Sequence, residues 1–152
     1  MLGELVSKTW KALPKHARTF ITRRFETKFT VSVTGIVVND VDQVLLLNHV
    51  IRPKSPWGPP GGFVEQGEQP EAALRREIKE ETGLGLADVH LIRARTFKRH
   101  VEIIYTARAI GEARASSVEI RELRWFDPHQ MPEDMGLDLH FAIRKALDRD
   151  EL

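Results

Sequence analysis

The alternation of apolar and polar residues predicts a series of strands that starts at Phe29. Apolar residues recur at every second position over 31–37, and a second apolar run covers residues 44–50. The polar turn at 39–42 between these runs indicates that they form neighbouring strands. Further strands are predicted over 89–97, 101–110 and 120–126, and a closing helix over 139–147.

Two segments between the strands carry stronger local signals. Residues 51–62 contain four prolines and three glycines, which neither a helix nor a central strand tolerates. We therefore predict a stiff loop whose fixed shape serves to hold another group in place. A helix is predicted over 70–83. Pro70 suits its first turn, Glu71 favours its positive end, and Gly83 stands where a left-handed cap belongs.

The order of these elements predicts one domain of the α/β class. Strands, an embedded helix, more strands and a last helix favour a mixed β-sheet with helices on both faces. A chain of 152 residues is long enough for one core and short for two. We therefore predict a helical extension over 1–25 and a domain over 26–152. The regular pattern of apolar residues in this domain ends near residue 147.

The extension is amphipathic and basic. Its apolar residues recur at helical spacing on either side of Pro14: Leu2, Leu5, Val6, Trp10 and Leu13 before it, and Phe20, Ile21 and Phe25 after it. Residues 1–28 hold seven basic and two acidic side chains, an excess of +5, and the rest of the chain carries −4. Such a helix can lie on an anionic membrane or bind a partner. We favour the alternative that it packs on its own domain or on a second copy, as most amphipathic helices do.

The composition narrows the chemistry. Cysteine is absent from the sequence, which excludes disulfides, thiolate zinc sites and cysteine nucleophiles and leaves oxygen or imidazole ligands for any metal. A formal charge of +1 does not suggest nucleic-acid binding. No stretch approaches the roughly 18 apolar residues that a membrane span requires. We therefore expect a cytoplasmic protein that does not associate with membranes.

Three glutamates lie on one face of the predicted helix. Glu77, Glu80 and Glu81 stand at positions i, i+3 and i+4, so their carboxylates lie within reach of each other and repel unless a cation gathers there. A solvated helix face is the alternative interpretation. The stiff loop that ends directly upstream favours a metal site instead. Hard oxygen ligands indicate Mg²⁺ or Mn²⁺ bridging to the phosphate oxygens of a substrate, as in phosphoryl-type transfer.

The spacing around these glutamates resembles the complete box of the Nudix hydrolase family. Gly62 is followed after five residues by Glu68 and after seven more by residues 76–84, which read Arg-Glu-Ile-Lys-Glu-Glu-Thr-Gly-Leu. Segments 57–62 and 123–127 are similar to those that flank the box in that family. A match at nine fixed positions is highly specific.

The resemblance implies a fold, a reaction and a metal. The fold is the Nudix fold, an α/β/α sandwich, and the reaction is hydrolysis of the diphosphate linkage in a nucleoside diphosphate derivative. The implied metal ligands are Glu77, Glu80 and Glu81, with the Gly61 carbonyl as a further one. The metal would be Mg²⁺ or Mn²⁺, which aligns and acidifies a water for in-line attack on phosphorus.

The resemblance also implies roles for nearby charged residues. Arg76 would orient a catalytic carboxylate, with Glu68 as its neighbouring anion. The general base would be a glutamate of the box, Glu77 or Glu80, or one from a downstream loop. Among the latter, Glu119 is the leading candidate, ahead of Glu122 and Glu102.

Candidate substrate-binding residues rest on side-chain chemistry alone. Five cations could contact terminal phosphates: Arg52, Lys54, Arg95, Lys98 and Arg99. Trp57 or Tyr105 could stack on a base. For each the alternative is a solvated cation or a core aromatic residue. His100 is expected to be an exposed loop histidine. Members of the family that act on ADP-ribose typically carry a proline soon after the box, whereas this chain has none between Pro70 and Pro128.

Two functions of different classes follow. The first is a Mg²⁺-dependent Nudix pyrophosphohydrolase whose partner is a small nucleotide substrate. The second is a catalytically silent Nudix-like module that binds a nucleotide and reports it to a partner. The intact set of acidic residues favours the first. We expect no stable nucleic-acid partner, and a homodimer stays open.

Overall fold

The computed structural model describes residues 2–25, 27–51 and 55–147. Arg52 and Lys54, two predicted phosphate contacts, lie outside this range, as do the side chains of Leu2, Leu5 and Phe25 in the extension. The elements, in chain order, are α1 (Leu2–Ala12), α2 (Lys15–Phe25), β1 (Thr30–Val38), β2 (Val44–His49), β3 (Trp57–Gly58), β4 (Gly61–Phe63), α3 (Pro70–Thr82), β5 (Gly85–Phe97), β6 (His100–Ile110), β7 (Ile120–Phe126) and α4 (Leu137–Leu147).

The strands form one mixed sheet, as the order of elements predicts. Its main path runs β3-β2-β1-β6-β5, with β4 paired to β1 and β7 paired to β2. The pair β1 and β6 is parallel, in register from Thr30 opposite His100 to Val38 opposite Arg108, and the other pairs are antiparallel. A parallel pair needs a long connection between its two strands. Here the connection from β1 to β6 contains β2 to β5 and α3.

Alternate residues of β1 and β2 enter two separate cores. Val33 and Val37 pack with Leu74 and Ile78 of α3, whereas Ile36 packs with residues of α4 on the other face. In β2 the run Val44–Leu47 is fully buried, because both faces of this strand are covered. The expected α/β/α sandwich is therefore confirmed.

The structure differs from the predicted pattern at the ends of some elements. The stiff loop contains the short strands β3 and β4, since its extended Gly-rich backbone hydrogen-bonds to β2 and β1 between the prolines. Strand β5 begins at Gly85 rather than at residue 89. Asp88 has a φ of 48° at a register shift between Ala87 and His90, and this bulge interrupts the alternation of side chains there.

The extension folds as two helices that meet at the predicted break. Helix α1 ends two residues before Pro14, and α2 begins directly after it. The side chains of Val6 and Phe20 are 64% and 72% exposed, and that of Trp10 is 37% exposed. Val6 and Phe20 therefore lie largely in solvent, whereas Trp10 is mostly covered and Leu13 and Ile21 are half-buried. Packing of the extension on its own domain or on a second copy stays a prediction. No helix among residues 2–25, 27–51 and 55–147 is long and apolar enough to cross a bilayer.

Candidate active site

Helix α3 brings the acidic residues to the Gly-rich loop. Its first turn contains Pro70, and it ends at Gly83, which has a φ of 73° and donates its N–H to the Lys79 carbonyl oxygen at 3.0 Å. The apolar side of the helix is buried against β1. A Cβ on Gly35 of β1 would lie 2.9 Å from Cδ1 of Ile78, so the helix packs closely on the strand. This fixes the opposite, acidic side at the end of β4.

The two glycines of β4 allow close approaches to β1 and to α3. Gly61 has a φ of 149°, and a Cβ there would lie 2.2 Å from the carbonyl oxygen of Val33. A Cβ on Gly62 would lie 2.3 Å from Cδ of Glu77. The backbone N–H of Gly61 donates to Oε2 of Glu81 at 3.1 Å. The loop and two carboxylates of α3 are therefore in direct contact.

A small substitution at Gly62 tests this contact. We expect Gly62→Ala to lower kcat about tenfold with little change in Tm, because the added methyl group displaces the flexible end of Glu77 rather than backbone. Steady-state rates and thermal melts measure both effects. Gly136→Ala is the matched control, since a Cβ there meets nothing within 4 Å. Equal rates in the two variants would show that the position of Glu77 does not matter.

Arg76 lies at the centre of the acidic cluster, which we define as Glu68, Glu77, Glu80 and Glu81. Its guanidinium donates two hydrogen bonds of 3.0 Å to Glu68, one of 2.8 Å to Glu77 and one of 3.4 Å to Glu80. It also donates to the carbonyl oxygen of Phe63 at 3.1 Å. A planar fork of donors thus ties the loop, the turn before α3 and the helix together.

Charge and hydrogen bonding within the cluster shift two pKa values. The hydrogen bonds from Arg76, and then the one from the N–H of Glu65, hold the pKa of Glu68 below its ordinary value. The hydrogen bonds to Glu68 and then to Glu77 raise the pKa of Arg76 further above its ordinary value. Both groups are therefore charged throughout the neutral range.

The residues of the cluster fit a hard divalent cation in their donor chemistry. All of the side-chain donors are carboxylate oxygens, and the loop holds Glu77 and Glu81 on one side of α3. Within the described residues no three acidic, histidine or cysteine side chains are already arranged as a metal site. Glu77 and Glu80 are turned toward Arg76 instead, so this cation offsets part of their repulsion.

The sheet presents a polar surface next to the Gly-Gly loop, on the sheet face opposite α3. On β1 the hydroxyls of Thr30 and Ser32 lie 2.8 and 2.9 Å from the two ring nitrogens of His100. Next along the strand, the Thr34 hydroxyl donates to Glu102 at 3.2 Å. Since Thr34 is paired with Gly61, this surface adjoins the loop.

Sequence analysis missed most of this surface. His100 is a half-buried strand residue rather than an exposed loop residue. Its ring also lies edge-on to that of Phe63, with the centroids 6.0 Å apart. A signal was present in β1, where the outward-facing positions 30, 32 and 34 all carry hydroxyls and the following one, Ile36, is apolar. Such a change along one strand face marks the point where the core ends.

The structure changes the interpretation of several candidate substrate contacts. Tyr105 was wrong as a stacking residue: it is 8% exposed and packs in the core beneath α3, where burial and then the charge of Glu71 raise the pKa of its hydroxyl. Arg95 forms an ion pair with Glu102. Lys98 and Arg99 form the turn between β5 and β6, where Lys98 lies over the Phe97 ring at 5.4 Å.

The other two candidate residues, Trp57 and Glu119, lie in other parts of the structure. Trp57 packs edge-on against Phe126, with Arg124 5.7 Å from the centroid of its ring, so it is half-buried at the edge of the second core. Glu119 is exposed on the loop before β7. That loop runs past the end of α3, where the N–H of Ser116 donates to the carbonyl oxygen of Glu81 at 3.0 Å. In the described part of the chain, Glu119 makes no hydrogen bond or ion pair with the cluster.

A mixed sheet between two helices, with an acidic helix held against a Gly-Gly loop, defines a class of metal-assisted hydrolase by fold and site together. A model of the NUDIX domain matches residues 28–147. The chain belongs to the Nudix family. The match begins after the two helices of the extension.

Individual relatives agree with this assignment. An ADP-ribose pyrophosphatase of Methanocaldococcus jannaschii is 36% identical over 110 residues, which cover 68% of this chain and 64% of that protein. A MutT-like protein of Streptomyces ambofaciens is 28% identical over 121 residues, or 78% of this chain and 77% of that protein. The crystal structure of a MutT NUDIX hydrolase from Burkholderia pseudomallei superposes with a TM-score of 0.67 at 27% identity, covering 77% of this chain and 97% of that chain. The family and these relatives support the expected reaction class, hydrolysis of the diphosphate linkage in nucleoside diphosphate derivatives.

Proposed function

We propose that this chain is a Mg²⁺-dependent pyrophosphohydrolase that acts on a small nucleotide and uses the acidic cluster beside Gly61 and Gly62. The observation that supports it is the convergence of Glu77 and Glu81 on this loop, with Arg76 holding Glu68 and Glu77 in place. Nudix hydrolases generally use a divalent metal, and an all-oxygen donor set favours Mg²⁺ or Mn²⁺.

In this proposal Glu77, Glu80 and Glu81 hold the metal, and the Gly61 carbonyl is a further ligand. When bound, the metal neutralises the diphosphate and lowers the pKa of a water. The residues of the chain do the rest. Arg76 keeps the Glu77 carboxylate oriented through its 2.8 Å hydrogen bond, and Glu68 holds the guanidinium in its plane from the opposite side.

The structure favours a different order among the candidate general bases. Glu102 accepts a hydrogen bond from Thr34, which is the β1 partner of Gly61, so it lies close to the Gly-Gly loop, on the sheet face opposite α3. Glu119 lies on a loop beyond the end of α3. We infer that Glu102 is a better candidate outside the box than Glu119, with Arg95 released from its ion pair to meet substrate phosphate.

The polar sheet surface is where we place the remainder of the substrate. Hydroxyls on β1, the His100 ring and the exposed Phe63 ring give hydrogen-bonding groups and an aromatic edge next to the Gly-Gly loop, on the sheet face opposite α3. Lys98 and Arg99 stand at the turn beside it and stay candidates for phosphate contact. A cytoplasmic location agrees with this choice of substrate.

A substrate panel tests the proposed function. Purified protein with Mg²⁺ is incubated with nucleoside triphosphates, ADP-ribose and dinucleoside polyphosphates, and the products are identified by mass. We expect turnover of at least one of them, with water added at a phosphorus of the diphosphate. ADP-ribose is included because two observations disagree about it. The chain lacks the proline after the box that is typical of family members acting on ADP-ribose, yet it is similar to an ADP-ribose pyrophosphatase. Tight nucleotide binding without turnover across the panel would favour the silent module instead.

A further inference from the structure

The two helices of the extension expose apolar side chains beside basic ones. Val6 and Trp10, four residues apart on one side of α1, are 64% and 37% exposed, and Phe20 of α2 is 72% exposed. Lys8 and Lys11 are exposed on the opposite side of α1. Val6 and Phe20 are thus largely exposed, Trp10 is exposed in part, and all three lie outside the acidic cluster.

Polar groups in α2 reduce the cost of moving this surface out of water. The hydroxyl of Thr19 donates to the carbonyl oxygen of Lys15 at 2.9 Å, and that of Thr22 donates to the carbonyl oxygen of Arg18 at 3.0 Å. Both hydroxyls are thus satisfied within the helix, and their methyl groups are left for apolar contact. Lys15 and Arg24 are long, exposed cations, so they can extend away from an apolar layer.

The positive charge of the extension favours an anionic binding partner for its exposed apolar residues. Residues 1–28 carry an excess of +5, so two copies that met through their extensions would bring like charges together. An anionic surface attracts the same residues. Each helix has eleven residues and is only about 16 Å long, which suits a position along a lipid surface.

We propose that the extension, residues 2–25, binds the surface of anionic phospholipid bilayers, with Val6, Trp10 and Phe20 among the headgroups and the excess positive charge of the extension attracted to the lipid phosphates. This proposal replaces the expectation that the chain does not associate with membranes. This binding is independent of the proposed hydrolysis, because the extension shares no residue with the acidic cluster.

Vesicle sedimentation of the full chain tests the proposal. We expect the protein to sediment with vesicles of phosphatidylcholine and phosphatidylglycerol, to stay in the supernatant with phosphatidylcholine alone, and to be released by high salt. Lys8→Glu with Lys11→Glu should weaken partitioning by roughly 25-fold or more, at about fivefold for each lysine. The matched control is Arg121→Glu with Lys145→Glu, which makes the same change in net charge at exposed positions elsewhere.

A second pair of variants tests the apolar contact. Trp10→Ala with Phe20→Ala should lose vesicle binding, whereas Val118→Ala with Phe141→Ala, at exposed apolar positions of the domain, should keep it. Brominated lipids should quench Trp10 fluorescence, and Trp10→Phe should remove that quenching. A protein that stays in the supernatant with anionic vesicles at low salt overturns the proposal. So does a dimer in analytical ultracentrifugation that Trp10→Ala dissociates in a chain that binds no vesicles.

Discussion

Replacing Glu81 with glutamine should lower kcat by about two to three orders of magnitude while the fold survives. Glutamine keeps the shape of the side chain and one oxygen that accepts the hydrogen bond from the N–H of Gly61, so the contact between loop and helix is retained. It removes the charge on which a divalent cation depends. Glu80→Gln should have a comparable effect. Glu80 lies on the exposed side of the cluster, 3.4 Å from Arg76, where it contributes little to folding.

The measurements separate metal binding from folding. Rates are compared at increasing Mg²⁺ concentration, and a metal-ligand role predicts that the variant needs more Mg²⁺ as well as turning over more slowly. Glu71→Gln is the matched control, because Glu71 is on the same helix and pairs with Arg75 outside the cluster. Unchanged turnover in both cluster variants would remove Glu80 and Glu81 from the metal site.

Local sequence was enough to predict the helix and loop that carry the cluster. Helix α3 runs over Pro70–Thr82, close to the predicted 70–83, because its start, apolar side and left-handed end are all encoded within a few residues. The same spacing predicted that Glu77, Glu80 and Glu81 lie on one face of this helix. Short-range geometry determines both features, so neither depends on how the rest of the chain folds.

Contacts between distant segments could not be predicted in the same way. The hydrogen bonds between Ser32 and His100 and between Thr34 and Glu102 each join residues 68 positions apart, and they depend on the parallel register of β1 and β6. The position of the Tyr105 side chain also depends on strand register. It is next to Ile104 in sequence, yet the two side chains enter different cores, and only the register decides which side faces α3.

Arg76 should matter as a positioning residue, and Arg76→Ala should lower kcat about a hundredfold. The guanidinium forms hydrogen bonds to Glu68, Glu77 and Glu80, and without it these carboxylates repel one another and lose a common orientation. We expect the Tm without divalent metal to fall by several degrees. Added Mg²⁺ should narrow the difference from the wild-type chain, because the metal then neutralises part of the same charge.

Two further variants distinguish orientation from charge at this position. Arg76→Lys keeps the charge but not the planar fork, which makes two hydrogen bonds to Glu68 and one to Glu77. It should restore most of the Tm and little of kcat. Arg75→Ala, on the adjacent residue, removes a pair with Glu71 and should leave kcat unchanged. If lysine restored kcat in full, charge alone would explain the role of Arg76, and the orientation of Glu77 would not limit the reaction.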